Sequence, residues 1–285
     1  MDASFVESRR RRPSRPLTTI AVLAARHRTE PVPHPPTDRL HTAFTGVFES
    51  VARASPAGSV VHHGGITAVT TGVPHPYLNT LFVADAATSL TDFSTTAAAL
   101  EDIGLPYSIR LRSGLDDRFT VALKKLGLAE NSAEVERGMY LAAETGYPYP
   151  PELEIRVGRE ALLDHAAISA PGFGTPVDIV RRVLTQDLLD SEEIALYTGY
   201  VDGTAVSSSF GYIVDSIVNI FDVVTLSGHR RRGYGAAMTM RAAIDGFKAG
   251  CDFAFLEATP MGFPVYRRLG FEAIFDYRLW FQNAR

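Results

Sequence analysis

Between Ile220 and Phe271 the chain reads IFDVVTLSGHRRRGYGAAMTMRAAIDGFKAGCDFAFLEATPMGFPVYRRLGF, and that order of residues leaves few folds open. A short, β-branched apolar run, Ile220 to Leu226, predicts a buried strand. A polar, glycine-bearing loop follows, Ser227 to Gly235. Ala237, Met240, Ala243, Ile244 and Phe247 then recur at spacings of three and four, so a helix with an apolar face comes next. A second strand, Phe253 to Glu257, leads through Thr259-Pro260 into a short helix ending at Gly270.

The loop carries the chemistry. In Arg230-Arg231-Arg232-Gly233-Tyr234-Gly235 the glycines let the backbone turn tightly and approach a ligand closely. The helix behind them opens with unpaired N–H groups and the positive end of its dipole. Together they form an anion site suited to a pyrophosphate, with three arginines beside it.

With these residues the chain resembles the GNAT superfamily of N-acetyltransferases. Arg230, Gly233 and Gly235 match that family's acetyl-CoA pyrophosphate motif, and Val265-Tyr266-Arg267-Arg268-Leu269-Gly270-Phe271 matches its tyrosine-bearing segment. Leu256-Glu257-Ala258-Thr259-Pro260-Met261-Gly262 also looks like a bacterial branch of the superfamily. The resemblance implies an α+β fold of two GNAT-like domains, each a mixed, mostly antiparallel central sheet flanked by helices. It implies acetyl-CoA as cosubstrate, bound by Arg230, Arg231, Arg232, Gly233, Tyr234 and Gly235. The strand-end residues Val224, Thr225 and Leu226 would pair with the pantetheine arm, and a backbone N–H near Thr225 or Leu226 would stabilise the oxyanion. Thr259 stands where many relatives carry an asparagine that touches CoA.

A chain of 285 residues with 46% hydrophobic content can bury one large core or two ordinary ones. Residues 1–28 hold seven arginines against Asp2 and Glu7, a net +5; the remainder carries 21 basic and 30 acidic side chains, a net −9. So acidic a body argues against a nucleic-acid-binding surface. The single cysteine, Cys251, excludes an intrachain disulfide and fits a reducing compartment. Arg9 to Arg15 followed by the nine apolar and small residues 17–25 has the outline of a signal peptide. The apolar part is too short to span a bilayer, and the cleavage pattern is poor. A basic leader with a short strand at 18–24 and a cytoplasmic location are expected, with no membrane partner.

Pro31, Pro33, Pro35 and Pro36 close a leader of residues 1–37. A first domain is expected over 38–146. Thr37 or Asp38 would cap a helix bearing Leu40, Phe44, Val47, Phe48 and Val51. Strands are expected at 59–71 and 78–83, a helix at 88–103 capped by Thr91 or Asp92, a strand at Tyr107 to Leu111, a helix at 116–126 and a strand at Met139 to Ala143. The proline-rich residues 147–152 make a stiff connector. The second domain, 153–285, opens with a strand from Leu153 to Val157 and helices at 160–169 and 176–187, joined by the loop Pro171 to Pro176. A hairpin turns at Asp202-Gly203, and a final strand pair runs to Phe281.

The first domain reads as a worn copy of the second. Residues 121–128 align with 264–271 at a constant offset of 143. Leu123 stands where the second copy has Tyr266, and the counterpart of the phosphate loop, Ala84 to Thr91, has neither glycine nor arginine. The first copy is therefore expected to bind no cofactor there and to cover the second domain or shape its acceptor pocket.

Acetyl transfer needs an amine that loses a proton, a stabilised oxyanion and a thiolate that departs. Tyr266, with a reference pKa of about 10, can protonate the departing sulfur. Asp222 on the central strand is the first candidate for general base, with Glu257 and a water relay as the alternatives, because a carboxylate in an apolar strand is costly unless bonded or functional. No cysteine lies in either motif, which favours direct transfer in a ternary complex over an acyl-enzyme. His62, His63, His75 and His229 read as surface or loop histidines, without metal spacing, and Trp280 as core. The competing readings are a non-catalytic acyl-CoA-binding module and a biosynthetic tandem acetyltransferase resembling mycothiol synthase. The acceptor is an amine the residues do not identify, and an exposed sheet edge could pair two copies into a homodimer.

Overall fold

The computed structural model describes residues 35–282 apart from positions 86, 133, 134 and 144. The basic leader and the strand expected at 18–24 lie outside the described residues. The first half comprises α1 (Thr37–Ala54), β1 (Ser59–His63), β2 (Ile66–Thr70), β3 (Thr80–Val83), α2 (Leu90–Asp102), β4 (Ser108–Arg112), α3 (Thr120–Lys125), β5 (Leu128–Glu130) and β6 (Glu136–Leu141). The second comprises β7 (Glu154–Val157), α4 (Leu162–Gly172), α5 (Val177–Val183), α6 (Gln186–Leu189), β8 (Ile194–Val201), β9 (Thr204–Val214), β10 (Ile217–Thr225), α7 (Tyr234–Lys248), β11 (Phe253–Ala258), α8 (Phe263–Arg268) and β12 (Glu272–Gln282).

All twelve strands belong to one sheet, in the order β1-β2-β3-β4-β12-β6-β11-β10-β9-β8-β7, with β5 added to β12. Only β3 with β4 and β10 with β11 pair in parallel, so the fold is α+β with a mixed, mostly antiparallel sheet. Those two pairs are the corresponding elements of the repeat: each is crossed by one helix (α2, α7), and α3 and α8 coincide at the 143-residue offset. The strands nevertheless cross the 147–152 connector. β12 lies between β4 and β6, and β6 lies between β12 and β11. Trp280 on β12 is consequently buried in the first half's core with Phe93, Phe119 and Leu123.

The apolar run of β10 follows from burial on both faces. Val218 and Ile220 meet Ala237, Ala242 and Ala243 of α7 in one core. Ile217 faces Leu40 and Phe44 of α1 in another. The small residues of α7 let it lie close to the sheet; a Cβ at Gly246 would come within 2.3 Å of Val218 Cγ1. α1 packs against the opposite face, where Phe44 is fully buried and stacks on Phe221 at 5.5 Å. Burying a side chain of that size contributes about 1.5–3 kcal/mol.

Several local expectations give way. Residues 59–71 form a hairpin, turning at Gly64-Gly65 with φ of 55° and 78°, left-handed values that glycine adopts without steric cost. α2 is capped by Ser89, whose hydroxyl accepts from Asp92 N–H, in place of Thr91 or Asp92. Pro36 occupies the cap position of α1 with no side-chain cap; Thr37 is already helical, and Asp38 is paired with Arg112 at 2.7 Å. The helix expected at 176–187 is two, because Thr185 starts α6 by capping Leu188 N–H. α4 continues through Pro171 and Gly172, which shortens the loop expected at 171–176. The final strand pair is one long strand, β12, with a bulge between Ala273 and Phe275.

Candidate active site

β10 and β11 pair only from Ile217–Asn219 to Phe253–Phe255. Beyond that point β10 runs on to Thr225 and β11 to Ala258 without pairing to each other, so the two strands part and leave a wedge between them. A bulge in the β9–β10 ladder lies at the mouth of this wedge, between Phe221 and Val224. Asp222 within it has φ of 53°, a left-handed conformation that costs a non-glycine residue about 1–3 kcal/mol. Buried serines on β9 hold the irregular backbone. Ser208 donates to Asp222 O at 3.3 Å, and Ser207 donates to Val224 O at 2.6 Å.

Leu226 N–H donates to Val206 O at 3.0 Å, so of the two amides expected to serve the oxyanion it is committed to the ladder. Neighbours in an antiparallel strand alternate in direction. The Thr225 N–H therefore turns away from β9 toward the wedge, and so does that of Val223, which lies opposite the Asp222 carbonyl bonded to Ser208 across a trans peptide. Val224 packs on α4; a Cβ at Gly172 would meet its Cγ1 at 2.4 Å.

The loop after β10 makes a 3₁₀ turn over Ser227–His229 and reaches α7 through Arg231 (φ 64°) and Gly233 (φ 84°). At the start of a fifteen-residue helix, Tyr234, Gly235 and Ala236 present N–H groups that have no acceptor within the helix. The side chains differ in their employment. Arg230 folds back, Nε donating to Thr225 O at 3.1 Å. Arg231 and Arg232 are exposed. The Tyr234 ring is buried and its hydroxyl donates to Glu152 at 2.8 Å, so only its backbone faces the loop. Tyr147 of the connector donates to Gly233 O at 3.2 Å. Thr259 accepts from Gly262 N–H at 3.3 Å and caps the turn into α8.

Tyr266 lies on the α7 side of the sheet within the core that includes Ala237 and Met240. Burial pushes its phenol up to about 12, with its hydroxyl in reach of Thr239. Asp222 emerges on the other face, toward α4. Ser169 Oγ donates to its Oδ2 at 2.9 Å, and His165 Nε2 stands 3.5 Å from the same oxygen. Glu257 also lies on that face, but Arg110 grips both its oxygens, at 2.6 and 2.8 Å, and reaches Glu136 at 2.8 Å. Burial pushes the Glu257 carboxyl well up, against the pull of Arg110, and Glu136 adds to the push. First-half loops close over this side: Thr175 Oγ1 is 3.4 Å from His75 Nε2, and Arg182 donates to Gly72 O.

The fold that carries this wedge, bulge and glycine loop is similar to that of several solved structures. A GCN5-related N-acetyltransferase from Kribbella flavida superposes with a TM-score of 0.67 at 20% identity, covering 87% of this chain and 96% of that one. The chain has a tandem GNAT fold. A second GCN5-related N-acetyltransferase, from Sphaerobacter thermophilus, gives 0.54 at 13% identity over 76% and 80% of the two chains. A tandem GNAT protein from the clavulanic acid biosynthesis pathway gives 0.54 at 11% identity over 88% and 98%. No family model matches the sequence, and no curated protein matches it.

Within this GNAT fold the residues missed by sequence reasoning are His165, Ser169, Arg110 and the serines 207–209. The run of three serines inside an apolar strand was a legible signal, since buried hydroxyls there must find acceptors. Among the described residues no group of three His, Cys, Asp or Glu could hold a metal, and no helix is long and apolar enough to cross a membrane.

Proposed function

We propose that the chain is an acetyl-CoA-dependent N-acetyltransferase that moves an acetyl group to a primary amine by direct transfer in a ternary complex. The observation that carries this reading is the wedge between β10 and β11, flanked by Tyr266 on one face of the sheet and Asp222 on the other. The N–H groups opening α7 suit a pyrophosphate, and the thioester arm would run from there along Val223–Thr225 into the wedge. A thioester held in that position supplies an activated acetyl carbon.

The chain's own groups then divide the work. The N–H groups of Val223 and Thr225 are the candidates to stabilise the carbonyl oxygen as charge develops. Asp222, on the face away from Tyr266, accepts a proton from the incoming ammonium. Tyr266, kept protonated by burial, donates to the departing sulfur and recovers its proton from the nitrogen as the amide forms. Two protons leave the ammonium: one ends on the thiol and the other passes from Asp222 to solvent. Acetyl-CoA is an intracellular metabolite, so the cytoplasm is the proposed location, and residues 153–285 form the proposed catalytic domain.

The reading is tested by CoA release from acetyl-CoA with phenethylamine, spermidine and an N-acetylated lysine as acceptors. Amine-dependent release that is lost in Tyr266→Phe supports it. Binding of acetyl-CoA without release from any acceptor favours the non-catalytic module.

A further inference from the structure

We propose that His165 is a positioning residue that fixes the Asp222 carboxylate for proton transfer, an inference that rests on the transferase reading. His165 and Ser169 lie one turn apart on α4, so their side chains share a face. Both converge on one oxygen, Oδ2 of Asp222, at 3.5 and 2.9 Å. Oδ1 has no hydrogen bond among the described residues, which leaves it to take the amine proton.

The imidazole is otherwise unaccounted for. Its side chain is wholly buried, and neither ring nitrogen has a hydrogen-bond partner among the described residues. A buried polar group left unpaired costs about 1–3 kcal/mol. A neutral imidazole carries one N–H, and Asp222 Oδ2 stands beside Nε2. Closing the gap by about half an ångström would make a hydrogen bond of ordinary length, and such contacts often tighten only when substrate binds. The backbone adds an independent argument. Asp222 is held in a left-handed conformation inside a bulge, with its carbonyl bonded to Ser208. Strain and support thus meet at the same carboxylate.

Two variants and one spectrum test this. His165→Leu keeps an apolar side chain of similar bulk and removes the N–H; His165→Gln restores a side-chain N–H. With acetyl-CoA and the most active of the three acceptors, His165→Leu should lower kcat about tenfold with the KM for acetyl-CoA unchanged, and His165→Gln should recover most of the loss. In ¹⁵N-histidine-labelled protein, Nε2 of His165 should carry a proton shielded from solvent exchange, and its signal should move in Asp222→Asn. An unchanged kcat in His165→Leu, or equal losses in the Leu and Gln variants, overturns the proposal. If wild type releases no CoA, the transferase reading has failed and the spectrum judges the contact alone. There, an unprotonated Nε2 or a signal indifferent to Asp222→Asn refutes it.

Discussion

Arg110 holds Glu257 by both carboxylate oxygens through a single nitrogen, and so fastens β4 of the first half to β11 of the second. The guanidinium is buried, lies 5.3–5.8 Å from the ring centres of Phe48, Tyr77 and Phe44, and faces a second acid, Glu136. One cation therefore serves two largely covered carboxyls at the seam. Arg110→Met should destabilise the protein by about 3–5 kcal/mol, because it leaves the two acids facing each other without a cation between them. The triple variant Arg110→Met, Glu136→Gln, Glu257→Gln should recover most of that stability, as read from urea unfolding.

The same grip separates the two candidate bases. Glu257 has no oxygen free of Arg110, whereas Asp222 keeps Oδ1. Asp222→Asn should lower kcat about 100-fold or more, and Glu257→Gln by only a few-fold. Steady-state kinetics with acetyl-CoA saturating decide it, and a larger loss in Glu257→Gln would reverse the assignment.

Tyr266 titrates near 12 in the folded chain because of burial, against about 10 when unfolded. Its native pKa is raised, so the folded state binds more protons between those values. The stability that this phenol contributes is complete below pH 10 and is lost as pH rises toward 12. Wild type should therefore show a steeper alkaline fall in melting temperature than Tyr266→Phe. That variant should also lower kcat about 100-fold while leaving the KM for acetyl-CoA near its original value.

A Cβ at Gly235 would stand 3.4 Å from Thr225 Oγ1 and 3.9 Å from Val223 Cγ1, so any longer side chain enters the space between the glycine loop and the wedge. Acetyl-CoA at a hundred times its dissociation constant should stabilise wild type by about 2.7 kcal/mol. Gly235→Arg should abolish that gain, and thermal unfolding with and without the ligand measures it.

The second half was legible where local chemistry forced the residue. Gly233 must adopt a positive φ, the Asp202-Gly203 turn needs two, and the strand–loop–helix order from β10 to α7 shows in the apolar run Ile220 to Leu226 and the three-and-four spacing from Ala237 to Phe247. The first half was legible in its elements, with α1, β3, α2, β4 and β6 lying within a few residues of the expected spans, and its likeness to the second half in the register of α3 on α8. The path of β12 was not legible, because the residues of a strand do not themselves say which partners flank it. His165 and Ser169 escaped for a related reason. Each is a single polar residue on a short helix, and only the bulge at Asp222, more than fifty residues away in sequence, gives them a shared target. Gly64-Gly65 was a readable turn lost inside an apolar stretch.

The reciprocal placing of β6 and β12 makes the two halves hostages to each other. Severing the chain at 147–152 would strip β11 of its β6 neighbour and leave β4 facing the gap where β12 belongs, each with a bare row of N–H and C=O groups. Two such pieces would behave like the parts of a complementation reporter, silent apart and whole only on meeting. The first half, whatever its loop does, is thus the keeper of a strand that its twin has no other way to obtain.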